Sequence, residues 1–402
     1  MNDLGNYVIY VLMFFVAVGA IGAIRDQEKG VGAEFMAGLH TIGYLFIPIA
    51  AVMASVPYLS IFVSEVLGPV FGMIGADPSM GATSVLSVDM GGYQLAKAIS
   101  SSPESWIMSS LNGFLLGPHI VFTIPVALVL LAKRDHKYLA LGMMAGFVSI
   151  PFSLLAILLI INLSGVDIRP DISTTSEASY ALYFEPGMVL ANMIPLVLFI
   201  GLLAIGLRFY TGAMVKGFMI FGKIMDVLIK MILAASIIEY FTGAFSMVFG
   251  AWGFDPIIAD SQDQFRALEI SGYIALMLSG AFPMVYCIQK LCERPIRKLA
   301  NKWNFSDAGA GGFIGTIANP LVLFRAIPNM PAKDKVVTIA FSVCGAWMFG
   351  DSLAYIANFQ PTLIVPLMLG KLVGALIGVA FAYWLAVPKA LELESEEKAE
   401  VA

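Results

Sequence analysis

Two carboxylates stand where hydrocarbon is expected. Asp89 lies in Ser87-Val88-Asp89-Met90-Gly91-Gly92-Tyr93-Gln94, inside an apolar run from 78 to 99, and Asp351 follows Gly350 in another. A charge at mid-membrane costs about 2.5–3.5 kcal/mol on insertion scales, so both are candidate site residues. Carboxylates attract a cation. Asn112, Asn319 and Gln94 can give and accept hydrogen bonds to a hydroxyl. Tyr93, Trp106, Trp347 and Tyr355 offer ring faces that attract an ammonium. His119 adds a ring nitrogen just past Gly117-Pro118. The chemistry implied is the binding of a small ammonium that carries a hydroxyl. His40, Glu269 and Lys371 are further polar groups in apolar sequence, candidates for proton or ion coupling, and Lys371 could also be the counter-ion of Asp351. Structural roles compete with these. Asp89 could cap the following helix, Asn112 and Asn319 could tie helices together, and His119 could satisfy carbonyls freed by Pro118.

The elements that must position these residues follow from composition. Of the 402 residues, 59% are hydrophobic and 13% charged, against about 25% charged in a soluble domain. This is an all-α polytopic membrane protein, in contact with lipid. No basic tract suggests nucleic acid. Cys287, Cys292 and Cys344 have no metal-ligand spacing and are expected to be buried apolar residues. No His-x-x-x-His, Gly-x-Ser-x-Gly or acidic metal motif is present. The chain is expected not to be an enzyme and to need no cofactor or metal, with Na⁺ or H⁺ as the candidate coupling ions.

Apolar runs predict about nine transmembrane helices plus two re-entrant hairpins. The first run, 4–24, is preceded by Asp3 and followed by Arg25 and Lys29, placing the N-terminus outside. The segment 61–75 is expected along the surface. The stretch 209–250 carries Lys216, Lys223, Asp226 and Lys230 and is expected to be an interfacial turn leading into a helix. The loop 167–185, with four acids and Arg169, is external; the acidic tail from Glu392 is cytoplasmic and expected to be disordered. In this topology nearly all of the 23 Lys and Arg lie inside; the exceptions are Lys97, Arg169, Arg266 and Lys371. It forces 78–104 to begin and end outside and 305–331 to begin and end inside. Neither can cross, so each is a hairpin lined by protein or water.

The two hairpins align. Lys97-Ala98-Ile99 matches Arg325-Ala326-Ile327, and the same offset lays Asp89-Met90-Gly91-Gly92 over Ile317-Ala318-Asn319-Pro320. The organisation read from this is an inverted repeat over 1–165 and a second over 215–388. An external loop and linking helix over 166–214 join them, and a cytoplasmic tail over 389–402 follows. Inverted repeats with broken helices meeting near the bilayer midplane are a secondary-transporter signature.

Through Gly75-Ala76-Asp77-Pro78-Ser79-Met80 and Val88-Asp89-Met90-Gly91-Gly92-Tyr93-Gln94-Leu95-Ala96, the chain resembles the ethanolamine permease family EutH. The likeness extends through the hairpin at 313–325 and Gly350-Asp351-Ser352. It implies a multi-pass protein of the bacterial inner membrane that admits ethanolamine for ethanolamine utilisation, by alternating access or as a facilitator. The competing transport function is a Na⁺- or H⁺-coupled carrier of another small amine or a nucleoside. A homodimer is compatible with the sequence.

Overall fold

The computed structural model describes residues 2–302 and 304–401. Side chains at 2–3, 292–294, 296–297, 299–301 and 400–401 lie outside that description. The expectations for the side chains of Asp3 and Cys292 therefore fall outside it.

In chain order the helices are α1 (Asn2–Arg25), α2 (Gly30–Ala54), α3 (Val56–Phe62), α4 (Gly68–Gly72), α5 (Ser79–Val85), α6 (Gly92–Ile99), α7 (Pro103–Leu115), α8 (Ile124–Leu130) and α9 (His136–Ser164). A two-stranded antiparallel pair, β1 (Asp167–Ile168) and β2 (Tyr180–Ala181), follows. Then come α10 (Pro186–Phe209), α11 (Thr211–Thr242), α12 (Ala244–Phe249), α13 (Ala267–Lys302), α14 (Asp307–Ala318), α15 (Pro320–Ala326), α16 (Ala332–Gly345), α17 (Asp351–Phe359), α18 (Ile364–Phe381) and α19 (Val387–Val401).

Among the described residues, 7 helical stretches are long and apolar enough to cross a membrane: 4–25, 30–54, 103–130, 133–164, 186–209, 267–291 and 361–399. The further crossings expected from sequence correspond to α11, which carries Lys216, Lys223, Asp226 and Lys230, and to α16–α17, which is interrupted between Gly345 and Asp351. Two expectations are corrected. The stretch 209–250 does not open with an interfacial turn: α11 is one continuous helix of 32 residues, its Lys230–Asp226 pair at 2.7 Å lying on one face as i,i+4 partners. At 1.5 Å per residue it is about 48 Å long, which exceeds a ~30 Å hydrocarbon layer by about 18 Å, enough to carry Lys216 beyond it and leave Lys223 at its edge. The acidic tail is helical rather than disordered. Val387 and Ala390 of α19 join a buried apolar cluster, Glu397 pairs with Lys137 at 2.7 Å, and Glu394 accepts from the Ala332 amide. Composition predicted solvation; docked partners supply the contacts that offset it.

Two packed groups form the body. α9 lies against α16 and α18, and α16 against α18; α2 lies against α13, with α1 on both. The contacts are matched: α1 packs on α13 as α11 packs on α2. Single prolines set two of the interruptions. Pro118 has no amide to continue α7, and a wider turn over His119–Thr123 precedes α8. Asn319 is driven extended by Pro320 (φ −154°, ψ 119°) and its side chain accepts from the Leu321 amide, starting α15 afresh.

Each short helix pair is tied at its base by a buried aspartate. Asp77 accepts from the amide and hydroxyl of Ser79 with one oxygen and from those of Ser101 with the other, so it holds the start of α5 and the end of α6 together. Its own amide donates to Asn192 of α10 at 2.7 Å. Asp334 on α16 accepts from the Ser306 amide at 2.7 Å, ahead of α14. Asp77→Ala leaves these donors without an acceptor and is expected to destabilise the protein by about 2–3 kcal/mol, measured as a lower Tm in detergent.

Candidate functional site

The site is built on two helix breaks. In the first, α5 ends at Val85, the chain turns through Val88–Met90, and Gly91 at φ 92° starts α6. That φ is left-handed, which glycine adopts without a Cβ penalty. Asp89 sits in the turn itself, beyond the end of α5, and its carboxylate accepts from the Ser87 hydroxyl. It makes no capping bond to α6. Asp89 remains partly exposed although Ser87, Val88, Gly91 and Gly92 around it are buried.

The second break, between α16 and α17, is held by the turn of the α14–α15 pair. The Trp347 amide donates to the Thr316 carbonyl and the Phe349 amide to the Ile317 carbonyl, at 3.3 and 3.0 Å. Trp347 is left-handed at φ 52°, a conformation that costs a non-glycine residue about 1–3 kcal/mol and that clusters at functional sites. Asp351 opens α17, with its carboxylate at the positive end of the helix, and is likewise partly exposed. α17 packs on the 88–90 turn, and Asp89 and Asp351 lie within electrostatic reach of each other.

Both breaks depend on backbone approaching backbone. A Cβ at Gly117 would lie 2.6 Å from the Leu86 carbonyl oxygen, and one at Gly350 would collide with the Ala318 carbonyl. Each glycine receives the end of the helix that precedes a tip. Gly117→Ala is expected to push the Asp89 turn away and cut transport at least about tenfold with modest loss of Tm, checked by uptake and thermal unfolding on one preparation.

The other candidates divide sharply. Lys371 is 1% exposed; its Nζ donates to the Phe114 carbonyl at 3.2 Å and lies within electrostatic reach of Asp89. His119, 1% exposed, donates from Nε2 to the Val343 carbonyl at 2.5 Å, which leaves Nδ1 as the unprotonated nitrogen, buried and without a partner. The rings of His119 and Trp347 lie 6.1 Å apart. Gln94 donates to the Tyr355 hydroxyl at 3.2 Å and has an unpartnered buried Oε1. Tyr93 is buried against Trp106, Tyr355 and Phe359, and its hydroxyl accepts from Gln360. The Trp106 ring is already faced by Lys97 at 4.0 Å.

The Asn112 Nδ2 reaches Ser84, Thr83 and the Met80 carbonyl, binding α7 to α5, while its Oδ1 is buried without a partner. Asn319 caps α15, although its neighbour Ala318 touches Gly350. His40 and Glu269 are not brought together. Glu269 accepts from the Ala259 amide and holds a loop. Gly38 meets Ser279 where α2 crosses α13, and His40 is exposed two residues further on. That register leaves His40 and Glu269 about two turns apart. Of the described cysteines, Cys344 is buried beside the Ser149 hydroxyl at 3.4 Å and Cys287 is only half-buried, correcting the expectation for the latter.

Sequence reasoning missed Ser87, Gln360 and Arg169. Gln360 was legible as an amide in apolar sequence before Pro361. It accepts from the Arg169 amide and donates to Tyr93, joining the 167–185 loop to α6. Arg169 also donates to the Asn358 carbonyl at 2.6 Å, and Lys97 to the Pro170 carbonyl at 2.7 Å. The loop thus bridges α6 and the α17–α18 corner. Arg169→Ala is expected to free it, raising limited proteolysis within 170–180 several-fold while Tm falls by only a few degrees.

Apolar spanning helices around two breaks, with carboxylates and an ammonium gathered between them, define a polytopic membrane protein with a charged interior. The chain belongs to the family described as ethanolamine utilisation protein EutH, whose model matches residues 4–385. It is similar to proteins named probable ethanolamine permease EutH in three bacteria. It is 32% identical to that of Listeria monocytogenes over 96% of this chain and 95% of the relative. Identity to that of Salmonella typhimurium is 34% over 99% of both chains. For Escherichia coli it is 34% over 96% of both. No solved structure matches the chain.

Proposed function

We propose that this chain carries ethanolamine across the bacterial inner membrane by alternating access, binding it as the ammonium between Asp89 and Asp351. The observation that carries this is the pair of carboxylates within electrostatic reach of each other at two helix breaks, in a chain similar throughout to proteins named probable ethanolamine permease. An ammonium would find two partners there, and the unpartnered Gln94 Oε1 is a candidate acceptor for a hydroxyl, with Asn319 as a second amide. The Asn112 amide nitrogen and the face of Trp106 already have partners, while Asn112 Oδ1 is buried without one.

In this reading 1–165 and 215–388 are inverted repeats, and the α5–α6 and α14–α15 pairs are re-entrant hairpins gating opposite faces. The matched packing of α1 on α13 and α11 on α2, and the aspartate at each hairpin base, support it. The 167–185 loop then seals the outer face in the conformation described. The decisive measurement is counterflow in proteoliposomes against a panel of ethanolamine, choline, a nucleoside and a neutral alcohol. Ethanolamine is expected to compete and the neutral alcohol to fail. Absence of ethanolamine competition would overturn the proposal.

A further inference from the structure

Lys371 does more than balance charge. It lies in α18 where that helix crosses α9 and α16, 1% exposed, beside Cys344 and within electrostatic reach of Asp89 and His119. Its ammonium has three donors. Among the described residues it makes one hydrogen bond, to the Phe114 carbonyl at 3.2 Å, and no carboxylate lies within 4 Å of it. A buried ammonium without a direct ion pair is costly to maintain.

The Phe114 carbonyl is itself an orphan. In a continuous helix it would accept from the amide four residues on, and that residue is Pro118. Lys371 therefore holds a site that a proline has vacated, one break away from the Asp89 carboxylate. The lysine is a compact charge on a flexible four-carbon stem, so it can change partner without moving a helix. The charge within electrostatic reach of it is Asp89, with His119 and Cys344 as the other titratable groups, and Asp351 lies within reach of Asp89 in turn. Asp89 is thus within reach of a tethered ammonium on one side and of a second carboxylate on the other.

We propose that Lys371 is a tethered cation: it pairs with Asp89 when the substrate site is empty and withdraws to the Phe114 carbonyl when an ammonium binds. This rests on the reading of the chain as an ammonium carrier. The empty carrier reorients because its carboxylates are partly neutralised, so Lys371 sets net uptake rather than exchange.

The test uses Lys371→Gln, which can still donate to the Phe114 carbonyl but carries no charge, with Lys371→Met as the variant that removes both. Ethanolamine binding, exchange and net uptake are measured on full-length protein in the same vesicles. Loss of a competing cation is expected to tighten ethanolamine binding about tenfold in both variants. Exchange should persist while net uptake falls at least about tenfold. If Lys371→Gln matches the wild type in all three measurements, the lysine only satisfies a carbonyl and the inference is overturned. Parallel loss of exchange and net uptake with unchanged affinity also overturns it. Wild-type protein that neither binds nor exchanges ethanolamine would overturn the carrier reading itself, and the inference with it.

Discussion

Asp89→Asn should reduce ethanolamine uptake by at least about thirtyfold while leaving the folded protein intact. Removing one partner of a buried charge pair costs about 2–5 kcal/mol, and asparagine keeps the shape of the turn and an acceptor for the Ser87 hydroxyl. The loss belongs to binding, so it should appear in affinity before it appears in maximal rate. It should be clearest at low pH. Neutral ethanolamine crosses a bilayer unaided, and acid removes that form, so the carrier alone remains. Asp351→Asn should act in the same direction, and because the two carboxylates are electrostatically coupled the double substitution should cost less than the sum. Uptake at acid pH that is unchanged in Asp89→Asn, with normal protein levels, would remove this carboxylate from the substrate site.

The largest expected effect on stability lies far from that site. Lys335 on α16 and Asp135 ahead of α9 form a buried pair at 2.5 Å, with Asp135 fully enclosed and the Tyr138 ring 4.9 Å from the ammonium. Asp135→Ala strands the lysine charge and is expected to destabilise the protein by about 3–5 kcal/mol. Lys335→Met alone strands the carboxylate to a similar degree, with Arg134 at 3.8 Å as its remaining neighbour. The double replacement Asp135→Leu with Lys335→Met should recover most of the loss, because no buried charge is then left unpaired. Thermal unfolding of the four proteins in one detergent gives the coupling directly. Additive losses would show that the two residues act independently.

The contrast between these two acids shows how far sequence carries. Asp89 was legible because it interrupts an apolar run beside Gly91-Gly92; the cost of a charge in hydrocarbon makes such a residue conspicuous without any structure. Asp135 was invisible as a stabilising group, because a charge in Lys133-Arg134-Asp135-His136-Lys137 looks solvated. Only the approach of α16, 200 residues on in sequence, encloses it.

The sequence by itself determined the helical, membrane-spanning class, the interruptions at Asp89, Pro118, Asn319 and Gly350, and the family resemblance. Each is a local property: hydropathy over a span, a missing proline amide, a glycine with no Cβ. Tertiary structure alone decided which polar groups lie near one another. It brought Asp351 within electrostatic reach of Asp89, turned Lys371 to the Phe114 carbonyl, tied the Asn112 amide nitrogen to Ser84, and parted His40 from Glu269. Proximity across a fold depends on how helices cross, and crossing is fixed by complementary surfaces that a one-dimensional pattern does not contain.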